Sequence, residues 1–192
     1  MLMTNRKWIL LALMLSLLAS TAMAADLPRK APELTISLTN GQQVLLSAYK
    51  GKVVAMIFIL TTCPHCQKTV GYLIKDQAEY GPRGFQVLAS AIQEGAAAAV
   101  PAFIKTFNTP FPVGFNSPQT AVDFMQHPPM LIPHMPLLAF VDKQGNIRAQ
   151  HEGDDDKFFG DPQEQNLRAQ IEALLKEGTP GKKGPAKSPR VP

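Results

Sequence analysis

Cys63 and Cys66 are the only cysteines in this 192-residue chain, and they stand two residues apart in Cys63-Pro64-His65-Cys66. Two thiols at that spacing can close into a disulfide and reopen. They follow the apolar run Val53 to Leu60 and precede a helical pattern, so they sit where a strand hands over to a helix. A cysteine at a helix N-terminus meets unpaired N–H groups and the positive end of the helix dipole, and both favour its thiolate. Cys63 is therefore the expected nucleophile. Cys66, one helical turn further in, is the expected resolving thiol, which attacks Cys63 in a mixed disulfide and releases the substrate thiol. Pro64 suits the first turn of the helix. His65, if protonated, places positive charge beside the thiolate, stabilises the reduced form and gives the couple oxidising power; the bland alternative is an exposed loop residue.

Other chemistries fit these residues less well. Zinc at the pair would need about four ligands. Covalent haem needs Cys-x-x-Cys-His, and Gln67 follows Cys66. Copper has a case, because His127, Met130, His134 and Met135 lie close in sequence and imidazole, thioether and thiol suit Cu(I). A copper-binding protein is thus the competing reading. The alternative for the same stretch is a proline-rich loop whose Met130, Leu131 and Ile132 form an apolar surface for substrate. His151 and the run Asp154-Asp155-Asp156 read as a surface residue and a solvated turn.

The elements that must position the pair follow from periodicity. Glu33 to Leu38 and Val44 to Leu46 flank Asn40-Gly41, a hairpin signal. The unbroken run 53–60 suits a central strand covered on both faces. Val70, Leu73, Ile74 and Ala78 share one helical face, ended by Gly81-Pro82. Phe85 to Ile92 reads as a second buried strand. Val100, Phe103, Ile104 and Phe107 form a helical stripe, in which Pro101 is tolerable if the helix starts near Ala98. Pro110 to Phe115 reads as extended and Gln119 to Met125 as a short helix. Leu137 to Val141 and Ile147 to His151 pair across the turn 142–146. Asp161-Pro162-Gln163-Glu164 resembles a helix cap with proline at the first position, opening a helix that runs to Gly178. This order predicts an α/β fold, a mixed central sheet with helices on both faces and an N-terminal β-hairpin extension.

At this point the chain resembles the thioredoxin-fold proteins, and among them the exported TlpA/ResA-like thiol–disulfide oxidoreductases that grade into the redoxins. Four stretches carry the resemblance: Ala31-Pro32-Glu33-Leu34 with the hairpin and Lys50-Gly51-Lys52-Val53-Val54; Cys63-Pro64-His65-Cys66; Pro110-Phe111-Pro112-Val113; and Met135-Pro136 running to Gly145. Together they span roughly residues 31 to 176. The resemblance implies exchange of disulfides with protein thiols, no cofactor beyond the Cys63–Cys66 disulfide, and a membrane or periplasmic redox partner. It implies that Pro136 is a cis-proline facing the thiols, against the alternative of a trans proline opening a strand. It also makes Met135 and Thr62 the substrate contacts. A peroxiredoxin-like peroxidase would carry Pro and Thr where Met56 and Leu60 stand. Two departures matter. Thr61-Thr62 occupies the place where many relatives have tryptophan, and Ile57 stands where thioredoxin has a buried acid. Glu94 can replace that acid or be a solvated loop residue. The Pro-His pair is shared with DsbA-type oxidants, whereas the TlpA/ResA-like group is mostly reducing, so the direction of electron flow stays open.

Compartment and charge complete the reading. Arg6 and Lys7, the apolar stretch Trp8 to Ala19 and Ala22-Met23-Ala24 make an export signal over 1–24, the alternative being a retained anchor. A periplasmic location follows, and it permits disulfides. The formal charge is +4, yet six basic residues lie outside 25–177, leaving that domain near −2. Nothing in this balance suits nucleic acid. The Pro-, Gly- and Lys-rich stretch 178–192 reads as a disordered basic tail. No added dimerisation segment is visible, which makes a monomer the expectation.

Overall fold

The computed structural model describes residues 26–177. The expected signal at 1–24 and basic tail at 178–192 lie outside them. The eight strands are β1 (Arg29–Lys30), β2 (Thr35–Ser37), β3 (Gln43–Leu45), β4 (Val53–Ile59), β5 (Phe85–Ala91), β6 (Val113–Phe115), β7 (Leu137–Val141) and β8 (Asn146–His151). The helices are α1 (Pro64–Tyr80), α2 (Ala96–Phe107), α3 (Pro118–Met125), α4 (Asp156–Phe159) and α5 (Gln163–Lys176). One mixed sheet runs in the order β1-β8-β7-β4-β5-β6-β2-β3. β4 pairs parallel with β5 and antiparallel with β7, so both its edges are hydrogen-bonded.

Every residue of β4 is buried, and alternate side chains enter two separate cores. Val53, Ala55, Ile57 and Ile59 join Val70 and Leu73 of α1, Val100 and Phe103 of α2, and Leu167, Ile171 and Leu174 of α5. Val54, Met56 and Phe58 meet Phe124 and Met125 of α3 and Leu34 and Ile36 of the N-terminal segment. Helices thus cover both faces, because the uninterrupted apolar pattern leaves neither face fit for water. The hairpin β2–β3 extends the sheet beyond β6. The two-residue β1, which carries no periodic signal, pairs with β8 at the opposite edge.

Four local expectations are corrected. α2 starts at Ala96, not near Ala98, and so holds Pro101 in its interior. The four alanines before Pro101 are strong helix formers, and Ala98 and Ala99 both bond the Gly95 carbonyl to open the first turn. α5 starts at Gln163, with Pro162 at the cap position and no side-chain cap from Asp161. Gln163 is only 2 % exposed and turns inward, which fixes the helix start one residue later. His151 is half-buried rather than on the surface: its ring stacks on Phe158 at 3.6 Å and its Nδ1 meets Asp155 at 2.8 Å. Asp155 is likewise no free turn acid, since it also accepts the Phe158 N–H that caps α4.

α1 is clasped to α5 along its outer half. Arg168 grips Glu79 at 2.6 and 2.7 Å, and Tyr80 donates to Glu172 at 2.9 Å. Beneath them Asp76 is 1 % exposed, with one oxygen unpartnered. Burial raises its carboxyl to about 6 against the pull of Arg168. A carboxyl raised in the folded state binds more protons folded than unfolded, so its contribution is lost as pH climbs from about 4 to about 6. Asp76→Asn is expected to stabilise the protein at pH 7.5 by up to about 3 kcal/mol. It should also flatten the stability decline over that interval, as read by denaturant unfolding at a series of pH values.

Candidate active site

The chain leaves β4 at Ile59, turns through Leu60-Thr61-Thr62 and enters α1 at Pro64. Cys63 is the cap residue of α1. Its backbone is extended, and its Sγ accepts the Cys66 N–H at 3.4 Å. The sulfur therefore occupies the place where an N-cap oxygen would sit, at the positive end of a 17-residue helix. Both cysteines are free thiols; Cys63 is half-buried and Cys66 fully buried. Burial pushes the Cys66 thiol far above its ordinary value, and the neighbouring Cys63 adds to this. The two sulfurs are thus unequal. One is reachable and lies at a helix terminus; the other is shielded and held as a thiol.

Pro64 occupies the first helical position, and His65 and Thr62 are exposed beside the reachable sulfur. The Met135–Pro136 peptide bond is cis. Met135 is partly buried and packs against both cores, and Cys63 packs against one of them. The two segments that the sequence separates by some seventy residues therefore border the same core. Glu94 is exposed and takes no part, and Ile57 is wholly buried among apolar side chains.

Several residues that hold this site carry no signal in the sequence. Gln93 donates to Thr61 Oγ1 at 2.5 Å and accepts the Thr61 N–H at 3.3 Å, while Gln67 donates to the Thr61 carbonyl at 2.9 Å. Thr61 is thereby pinned from two elements, and with it the turn ahead of Cys63. Thr69 and Gln163 form a buried pair at 2.7 Å between α1 and α5, and the Thr69 hydroxyl donates to the His65 carbonyl at 2.9 Å. Gly153 donates its N–H to the His134 carbonyl at 2.8 Å. A Cβ there would run into the Met135 carbonyl, so only glycine fits behind the proline segment.

The two histidines that the sequence suggests as copper ligands are each engaged with an acid. His127 is buried, with Nδ1 on Glu152 at 2.7 Å and Nε2 on the Leu131 carbonyl at 3.2 Å, so neither ring nitrogen is free. His134 faces Asp154 at 3.2 Å. Met130, Leu131 and Ile132 project outward, 91 %, 62 % and 84 % exposed. Gly153→Ala is expected to displace Met135 and lower disulfide-exchange activity severalfold, without removing either thiol. Thiol titration of the unfolded variant alongside an activity assay checks this.

Comparison with known proteins agrees with this geometry. The redoxin family profile matches residues 28–171. The thiol–disulfide oxidoreductase ResA of Bacillus thuringiensis subsp. konkukian is 25% identical over 155 residues, covering 81% of this chain and 80% of that protein. ResA of Bacillus subtilis is 30% identical over 93 residues, 48% of this chain and 51% of that one. Among solved structures, a candidate DsbE thiol:disulfide interchange protein from Chlorobium tepidum superposes with a TM-score of 0.66 at 26% identity, covering 78% of this chain and 98% of that chain. A second Chlorobium tepidum interchange protein of the thioredoxin family, with a TM-score of 0.65 at 22% identity over 79% of this chain and 99% of that chain, shows the shared fold. With its thiol pair at the mouth of α1 and a cis-proline opening β7, the chain belongs to the redoxin family as a TlpA/ResA-like thiol–disulfide oxidoreductase.

Proposed function

We propose that this is an exported enzyme that exchanges disulfides with protein substrates through Cys63 and Cys66, with no cofactor beyond those thiols. The observation that carries the reading is the inequality of the two sulfurs. Cys63 is reachable and accepts a helix N–H; Cys66 is buried with its thiol pushed up. Attack by the Cys63 thiolate on a substrate disulfide forms a mixed disulfide and expels one substrate thiolate, which takes up a proton. Cys66 then loses its proton and attacks Cys63 Sγ, forming the Cys63–Cys66 disulfide and releasing the second substrate thiol. Run backwards, the same steps oxidise a dithiol.

Pro64 and His65 shape the turn that bears the reachable sulfur, and Pro136 frames it from across the core. Thr62, Met135 and the outward side chains of Met130, Leu131 and Ile132 would meet an extended, partly apolar substrate segment. Export to the periplasm is supported by the leader pattern and by relatives of the ResA type. Among the described residues no helix is long and apolar enough to cross a membrane. In that compartment a membrane or periplasmic redox partner would reset the pair, and the enzyme would work as a monomer.

Cys63→Ser is expected to abolish exchange with a model protein disulfide. Cys66→Ser should instead trap a mixed disulfide on Cys63, visible by mass and lost on adding thiol. In the reduced native protein, a brief pulse of iodoacetamide should label Cys63 alone, and both cysteines only after unfolding. Equilibration in thiol buffers then gives the direction of electron flow. A reduction potential near about −120 mV marks a donor of disulfides, and one at or below about −250 mV marks a reductant.

A further inference from the structure

Three of the chain's four histidines face carboxylates of one short segment, residues 152–155. His127 meets Glu152, His134 meets Asp154, and His151 meets Asp155. Only in the middle of this row do donors from more than one pair converge. His134 and one oxygen each of Glu152 and Asp154 offer donor atoms that all lie within 4.8 Å of one another. We propose that His134, Glu152 and Asp154 form a binding site for a divalent transition-metal cation of the zinc class, seated behind the Met135–Pro136 segment.

The donor set fits that class. One neutral imidazole and two carboxylates supply charge −2 against a dication. Imidazole with carboxylate suits zinc, whereas calcium and magnesium take all-oxygen shells. The 3.2 Å between His134 Nδ1 and Asp154 Oδ2 is close to the ~3.3 Å edge of a tetrahedron with zinc–ligand bonds of about 2.0–2.1 Å. Three protein donors leave a fourth position for water or for a donor from a partner.

The surroundings are built to hold these donors. Glu152 is oriented by His127, whose side chain is 4 % exposed and whose far nitrogen is anchored on the Leu131 carbonyl. A buried partner that orients a ligating group in this way is the usual outer shell of a metal site. The two ligand-bearing loops are tied together at Gly153, through its N–H to the His134 carbonyl and its close approach to Met135. The ion pairs His127–Glu152 and His134–Asp154 together set two carboxylates side by side. Converging carboxylates repel, and a cation between them relieves the repulsion. No thiol is among the ligands, so the site stands independently of the redox reading. A bound cation would fasten the segment carrying Met130 to Met135 to the β8–α4 loop.

The test is calorimetric titration of Zn²⁺ into the protein with Cys63 and Cys66 oxidised, which removes the thiols as competing ligands. One Zn²⁺ per chain should bind saturably. His134→Ala and Asp154→Asn, both at exposed positions that leave the core intact, should each abolish that binding. His127→Gln should weaken it about tenfold or more, and the Cys63→Ser/Cys66→Ser double variant, which carries no thiol, should leave it unchanged. Co²⁺ in place of Zn²⁺ should give a visible absorption band that disappears in His134→Ala. Absence of saturable Zn²⁺ binding, or binding that His134→Ala leaves unchanged, overturns the proposal and leaves three separate histidine–carboxylate pairs. Neither result touches disulfide exchange, which is measured separately.

Discussion

The burial of β4 on both faces is the constraint on which the rest depends. Seven consecutive side chains, Val53 to Ile59, lie at 0–2 % exposure. Their backbone groups are shared between β5 and β7. Such a strand is stable only at the centre of a sheet with a layer on each side, since each buried apolar side chain contributes about 1.5–3 kcal/mol relative to exposure. It also cannot slide, because a one-residue slip would exchange the contents of the two cores. The chain emerging from Ile59 is therefore delivered to one fixed point at the C-terminal end of the central strand, and Cys63 is four residues further on.

From that point three places border the candidate site. The turn after β4 brings Cys63 to the mouth of α1, the start of β7 brings Met135 and Pro136, and the β8–α4 loop brings Gly153 behind them. Each junction has its own fastening: Gln93 and Gln67 on Thr61, Thr69 and Gln163 beneath His65, and Gly153 on His134. These bonds are mostly part-buried and neutral, so they hold position without adding charge near the sulfurs. The difference between Cys63 and Cys66 then comes from depth and from the place of Cys63 at the helix terminus. One helical turn separates a sulfur at the surface from one enclosed among apolar side chains, where ionisation is penalised.

Ile57 and Glu94 bear on the electron flow. A buried acid beneath the thiols would offer Cys66 a proton acceptor. Here Ile57 is enclosed in the apolar core and Glu94 points to solvent, so among the described residues neither fills that role. Of the two buried acids among the described residues, Asp142 lies in the β7–β8 turn, and Asp76 lies thirteen residues along α1 from Cys63 and faces Arg168 of α5. Its energetics belong to the α1–α5 contact rather than to the thiols.

By itself the sequence determined the elements with strong periodicity and the identity of the reactive pair. The run 53–60, the stripe of α1, the strand 85–92 and the Asn40-Gly41 turn are local patterns whose burial requirement admits one structure, and the only two cysteines leave one redox couple. Where local signal was thin, tertiary structure decided. β1 has two residues and exists because β8 offers an open edge. α5 begins at Gln163 because that side chain is drawn inward to Thr69. His127, His134 and His151, which by spacing alone read as copper donors or surface residues, became partners of three acids some twenty residues away or one turn on. Which nitrogen meets which carboxylate depends on how two loops are folded against each other, and no periodicity along the chain encodes that contact.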